Sequence, residues 1–172
     1  MIRVGWKGWL AIVLLPLAAG AGAYWLVELR RDAALLTEAK GLLDEREYAK
    51  ASEVLEKYLQ KRPGDLDARL LEVRAARQAR SYRQAAEHLR ICREKLGDTE
   101  PVSVEEALLE VARGNDAPLP GLRERAKQQD ATALNILEVL VQKDLDTYQL
   151  GQALDGFTRY LEQRPGDLHA LL

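Results

Sequence analysis

Apolar residues are distributed along this chain in two ways. From Trp9 to Val27 they form one long stretch without a charge, whereas from Asp32 onward they return every third or fourth position among Glu, Lys and Arg. The first pattern predicts a helix apolar on all sides, the second a series of amphipathic helices that each bury one face. A recurring stop punctuates the amphipathic stretch. Tyr58 to Leu70 reads YLQKRPGDLDARL and Tyr160 to Leu172 reads YLEQRPGDLHALL, with nine of thirteen positions identical. In the first copy an apolar pair ends a helix, basic residues suit the negative end of its dipole, Pro63 and Gly64 break it, and Asp65 caps the next helix. Tyr58 and Tyr160, which open the two copies, stand three periods of about 34 residues apart. That period marks an array of helix-turn-helix units, none of which buries its apolar face without a neighbour.

The motif sets a register for most of the chain. In the second helix of the first unit it places Tyr48 at the opening, Ala51 at a close-packing position, and Leu55 and Tyr58 one and two turns on. Tyr82, Ala85, Leu89 and Cys92 follow one period later, with Gly97 in place of the proline, and Leu150, Ala153, Phe157, Tyr160 and Pro165 follow three periods later. The small residue lets two backbones approach, and the large ones seal against the next unit. Between Asp98 and Asp130 the spacing fails. Val102 to Arg113 and Pro120 to Gln129 each read as a helix there, broken at Gly114, Asn115, Asp116 and Pro118. The predicted units are therefore 32–64, 66–97, a degenerate 98–130, 131–165, and a truncated 166–172. Because the last helix ends on Leu171 and Leu172 without a polar cap, either the array is the N-terminal part of a longer one, the favoured reading, or the last half-unit docks on the fourth unit.

The charge-free run comes before the array. Residues 1–8 form a short tail with Arg3 and Lys7, and residues 9–27 are long enough for about 28 Å of helix, close to the thickness of a bilayer core. Trp6 and Trp9 at one end, and Tyr24 and Trp25 at the other, stand where interfacial aromatics belong. A cleaved signal peptide is the rival reading, with Ala21-Gly22-Ala23 as the cleavage site; apolar residues resuming from Tyr24 to Val27 favour the membrane anchor. A short tail before the first apolar segment favours export of the following domain. Glu28 to Lys40 contains no strong breaker, so the spanning helix is predicted to run into the first repeat helix.

Composition narrows the class. Ala, Leu, Glu, Arg and Lys dominate and there is one Phe, which leaves little material for a sheet and predicts an all-α fold. Net charge is −2; residues 1–31 hold four Lys or Arg and one acid, so the remainder has 21 against 26, or −5. A mildly acidic domain argues against nonspecific nucleic-acid binding, which needs a basic stripe. The single cysteine excludes an intrachain disulfide.

No constellation of residues points to catalysis. His88 and His169 lie in different units, and His88, beside Glu87, reads as an outward, solvated residue. His169 replaces Asp67 of the first copy. Cys92 takes a small apolar position and is expected to be an inert buried thiol. Ser52, Ser81 and Ser103 have no His and acid beside them, RPGD is a turn rather than a phosphate cradle, and Glu105 and Glu106 read as a helix face turned to water. Neither an enzyme nor a metal or cofactor site is expected.

Period, residue types and break positions together resemble the tetratricopeptide-repeat family from Asp32 to Leu172, most weakly between Asp98 and Asp130. The chain departs from that family in its first helices, where Leu35 and Ala39, then Arg69 and Val73, replace the usual large aromatic and glycine. The resemblance implies a right-handed α-solenoid with the first helices lining a concave face. Residues there not needed for packing are Lys40 and Asp44 in the first unit, Asp67, Arg74, Arg77 and Gln78 in the second, and Asn135, Glu138 and Gln142 in the fourth. Lys40, Arg74 and Arg77 would form a basic patch, unless they are solvated or paired with Asp44 and Glu72. The family's carboxylate clamp is incomplete, since Lys40 and Arg74 share one clamp position and the clamp asparagines are missing. Bacterial members with an N-terminal anchor are similar in layout. The implied function is a single-pass scaffold in the inner membrane, with its repeat domain on the exported side, binding a protein or peptide in the groove. No cofactor, nucleic acid or small-molecule substrate is implied. The alternative is a tether or regulatory arm of a larger enzyme or envelope export machine that continues beyond Leu172.

Overall fold

The structure, a computed structural model, describes residues 31–165. Every regular element among them is a helix. The elements are α1 (31–44), α2 (Tyr48–Lys61), α3 (Leu66–Gln78), α4 (Tyr82–Leu96), α5 (Glu100–Ala112), α6 (Leu119–Arg125), α7 (Ala131–Asp146) and α8 (Leu150–Gln163). The predicted span 9–27, its junction with α1, and the segment 166–172 with His169 lie outside the described residues. Among the described helices none is long and apolar enough to cross a membrane.

The helices start and stop for local reasons. The Asp65 carboxylate accepts the Ala68 N–H at 2.9 Å to cap α3, and Asp130 does the same for Ala133 at 2.8 Å at the start of α7. In the first copy of the RPGD motif, Tyr58 also donates to the other oxygen of Asp65 at 2.6 Å, fastening the end of α2 to the start of α3. Both the bond to Asp65 and burial push this phenol up to about 12.

The first helix of each unit ends in the same way. Arg46, Arg80, Gly114 and Tyr148 all have positive φ, at 60, 61, 95 and 58°, and each stands one repeat period after the last. Each donates its N–H three residues back, and the residue after it donates five residues back, as in Ser81 to Ala76 and Asn115 to Glu110. This is a Schellman-type stop, repeated four times among the described residues. It corrects the expectation that the register fails between Asp98 and Asp130: the turn at Gly114 is in phase, and α5 starts one full period after α3. The irregularity is confined to α6, which has 7 residues where α2, α4 and α8 have 14, 15 and 14, and to α7, which starts early.

Three apolar clusters join the helices in chain order. Ala39 and Leu43 of α1 pack with Ala51, Val54 and Leu55 of α2 and Ala75 of α3. Val73 and Ala76 pack with Ala85, Leu89 and Cys92 of α4 and with Val102 and Leu109 of α5. Leu108 and Val111, Leu122, Ile136, Leu137 and Leu140, and Tyr160 then link α5 to α8. Ala51 and Ala85 are fully buried and Ala153 nearly so, as close approach of paired helices requires. Along this array α3, α5 and α7 are neighbours, forming one face.

Candidate functional site

The helices α3, α5 and α7 carry most of the predicted groove residues, and four of the nine, Arg74, Arg77, Asn135 and Glu138, are bonded to one another. Arg77, only 2% exposed, donates from Nε to Glu105 Oε2 at 3.2 Å and from Nη2 to Asn135 Oδ1 at 3.0 Å. Asn135 closes the ring by donating from Nδ2 to Glu105 Oε1 at 2.6 Å. Arg77 and Asn135 are thus buried bracing rather than open ligand contacts. Glu105 likewise does not face water; Glu106 does, and pairs with Arg93 at 2.7 Å. A charge this deep survives only with its partners, so removing one partner costs about 3–5 kcal/mol.

A second cluster centres on Glu138. It accepts from Tyr48 at 2.5 Å and from Arg74 Nη2 at 3.1 Å, with Arg46 Nε 4.0 Å away. Burial and the adjacent Glu138 carboxylate push the Tyr48 phenol well above its ordinary range. Asp44 meets Arg164 at 3.5 Å. These pairs carry α7 and the end of α8 to the turn between α1 and α2. Lys40 and Asp67 are exposed, Gln78 is half-buried, and the exposed Gln142 donates to its own helix at Asp146 (2.9 Å). Lys40, Arg74 and Arg77 therefore do not form an open basic patch: Lys40 is exposed, Arg74 is paired with Glu138, and Arg77 is buried on Glu105. A recess of about 170 Å³ is lined by Leu70, Leu71, Pro101, Val104, Thr132 and Arg74. Arg74 Nε is buried and has no acceptor.

A third polar cluster, between α2, α3 and α4, was not expected from the sequence. Glu72 is fully buried, and its Oε1 accepts from Ser52 Oγ at 2.7 Å and Gln84 Nε2 at 2.8 Å. Gln84 Nε2 also lies 3.1 Å from Glu56 Oε1 and 3.2 Å from Ser52 Oγ. His88 is 8% exposed, not solvated as expected, and stands between Arg69 and Glu56 at 3.0 and 2.7 Å. Because a guanidinium only donates, Nδ1 of His88 must accept from Arg69, and its proton sits on Nε2, donated to Glu56. Arg69 is further held by the Pro63 carbonyl at 2.8 Å. Burial pushes the Glu72 carboxyl up to about 8, and the nearby Glu56 adds to this against the bonds from Ser52 and Gln84. Its Oε2 has no partner. The cluster left a trace in the sequence: Ser52 and Glu56, Arg69 and Glu72, and Gln84 and His88 are polar pairs one turn apart on three successive helices.

Comparisons of the chain with protein-family models, with curated proteins and with solved structures return no match.

Proposed function

We propose that the chain is a membrane-anchored, non-catalytic scaffold of the tetratricopeptide-repeat type, a right-handed solenoid that holds a protein or peptide on the face made by α3, α5 and α7. The observation that carries the reading is Arg74, which lines an apolar recess and whose Nε is buried without an acceptor. A buried donor without a partner is costly, and a peptide carbonyl or carboxylate would relieve it while an apolar side chain fills the recess. The recurrence of the turn geometry at the repeat period supports the repeat reading, and the charge-free run 9–27 supports the anchor. On this reading the partner supplies one apolar residue beside an acceptor, and the protein sits in a bacterial inner membrane with its repeats on the exported side.

The test is site-specific photo-crosslinking in cells, with the full chain carrying a photoreactive residue at Thr132 in the recess or at the exposed Arg83 of α4. A discrete adduct from position 132, absent at 83 and reduced by Arg74→Gln, supports the reading. Equal adducts from both positions, or no effect of Arg74→Gln, reject it. Arg77 is unsuitable for this test because its loss opens the buried ring.

A second reading, an arm of a larger assembly, is favoured by the apolar edge of Leu145, Tyr148, Leu150 and Leu154, which is exposed among the described residues.

A further inference from the structure

We infer that the polar pocket between α2, α3 and α4 is a site for a hard divalent cation of the magnesium or manganese(II) class, held by the Glu56 and Glu72 carboxylates, the Ser52 hydroxyl and the Gln84 amide oxygen. The inference concerns a different site from the groove and does not depend on it.

The geometry points there first. Ligand oxygens of Glu56 and Glu72 lie within 4.8 Å of each other. In their midst the Gln84 amide nitrogen faces three oxygens, those of Glu72, Glu56 and Ser52, at 2.8, 3.1 and 3.2 Å. It has two hydrogens for these three acceptors. The amide nitrogen thus stands in for a cation; turned about its last bond, the same side chain offers its oxygen as a ligand.

Glu72 supplies an independent sign. It is fully buried, its Oε1 faces the cluster, and its Oε2 has no partner. Two acidic side chains share this pocket with one guanidinium, Arg69, whose Nη1 and Nη2 meet His88 and the Pro63 carbonyl and whose Nε has no acceptor. A cation that takes the place of the proton held by Glu72 would give Oε2 a partner.

His88 decides which metals suit. Arg69 donates to Nδ1, so the imidazole proton is on Nε2, and a metal there would leave the ring with no proton at all. His88 therefore stays outside the coordination shell and orients Glu56 through the 2.7 Å bond, a familiar role for a second layer of residues. The remaining donors are all oxygen, the preference of magnesium and manganese(II) rather than of zinc or copper. A cleft of about 540 Å³, bordered by Ser52, Glu56, Ser81 and Gln84, opens onto the pocket. It gives entry to the ion and to the waters that complete an octahedral shell.

The experiment is a titration of the full chain, in detergent or nanodiscs, with manganese(II) chloride alone, read by loss of the free-ion electron paramagnetic resonance signal. One saturable site is expected in the wild type. Glu72→Gln and Glu56→Gln should each weaken it by more than the ~10–100-fold typical of an outer-layer change, with helicity by circular dichroism unchanged. Spin-echo spectra of the bound ion should lack strong coupling to a nitrogen. Absence of saturable binding by the folded wild type, unaltered binding by folded Glu72→Gln, or strong nitrogen coupling from a bound imidazole would each overturn the assignment.

Discussion

Stability should fall as pH rises across the neutral range, and Glu72 is the reason. A free glutamate titrates near 4.5, whereas burial between α2, α3 and α4 raises this carboxyl to about 8. The folded state therefore holds the proton more tightly than the unfolded chain. The stabilisation is complete below 4.5 and is lost as pH rises through 8. At about 1.36 kcal/mol per unit, the gap between those values caps the effect near ~5 kcal/mol, and water entering from the cleft reduces it to about 2–4 kcal/mol. That is a large share of the roughly 5–15 kcal/mol that stabilises a typical domain. The assay is urea unfolding followed by far-ultraviolet circular dichroism from about pH 5 to about pH 8.5, with chelator present. Other resolved shifts fall outside this window. Asp130, lowered by Arg125 and by the Ala133 N–H, acts only in acid, and Cys92, raised by burial, acts only in alkali. Glu72→Gln mimics the protonated form, keeps the acceptor for Ser52 and Gln84, and should flatten the profile. A wild-type midpoint that does not change with pH, or the same slope in Glu72→Gln, would refute the reasoning.

Further outcomes follow from the same geometry. Arg77→Met should cost about 3–5 kcal/mol in urea unfolding because it strands Glu105, while Arg77→Met combined with Glu105→Leu and Asn135→Leu should cost much less. Gly114→Ala, at φ 95°, should destabilise by about 1–2 kcal/mol, and Tyr148→Asn should raise the midpoint slightly, since a left-handed tyrosine is a poorer fit than asparagine. Glu138→Gln should cost about 1–2 kcal/mol and, by releasing Arg74, strengthen the crosslink from position 132; a parallel loss of adduct would mean that Glu138 belongs to the binding surface.

The sequence made the register legible where residue type alone carries it. Ala51, Ala85 and Ala153 are small because backbones meet there, and their spacing is visible without coordinates. The turn register was hidden because Arg46, Arg80 and Tyr148 do not look like left-handed residues, and only Gly114 does. That concealment made the third unit look out of phase when only α6 is shortened. Burial of the inner-face charges was hidden for a different reason. Isolated Arg, Glu and Asn are normally exposed. Arg77 is buried because it meets partners 28 and 58 residues away, and no local period encodes that. His88 was assigned to the wrong side of α4: one residue beyond the outward Glu87, it is turned by about 100° and faces α3.

The inner-face pairing changes what recognition on that face requires. A groove lined by free cations would attract any acidic segment and would weaken steeply with salt. Here Arg77 is committed to Glu105, and Arg74 shares Glu138 with Tyr48 and Arg46. A partner that relied on charge would have to displace Glu138 and leave a half-buried carboxylate unpaired, which offsets much of the gain. The contacts it can make without that penalty are the apolar walls of the recess and the single unfilled Nε of Arg74. On the proposed reading, shape and one directed hydrogen bond select the partner, and ionic strength should affect the complex only weakly.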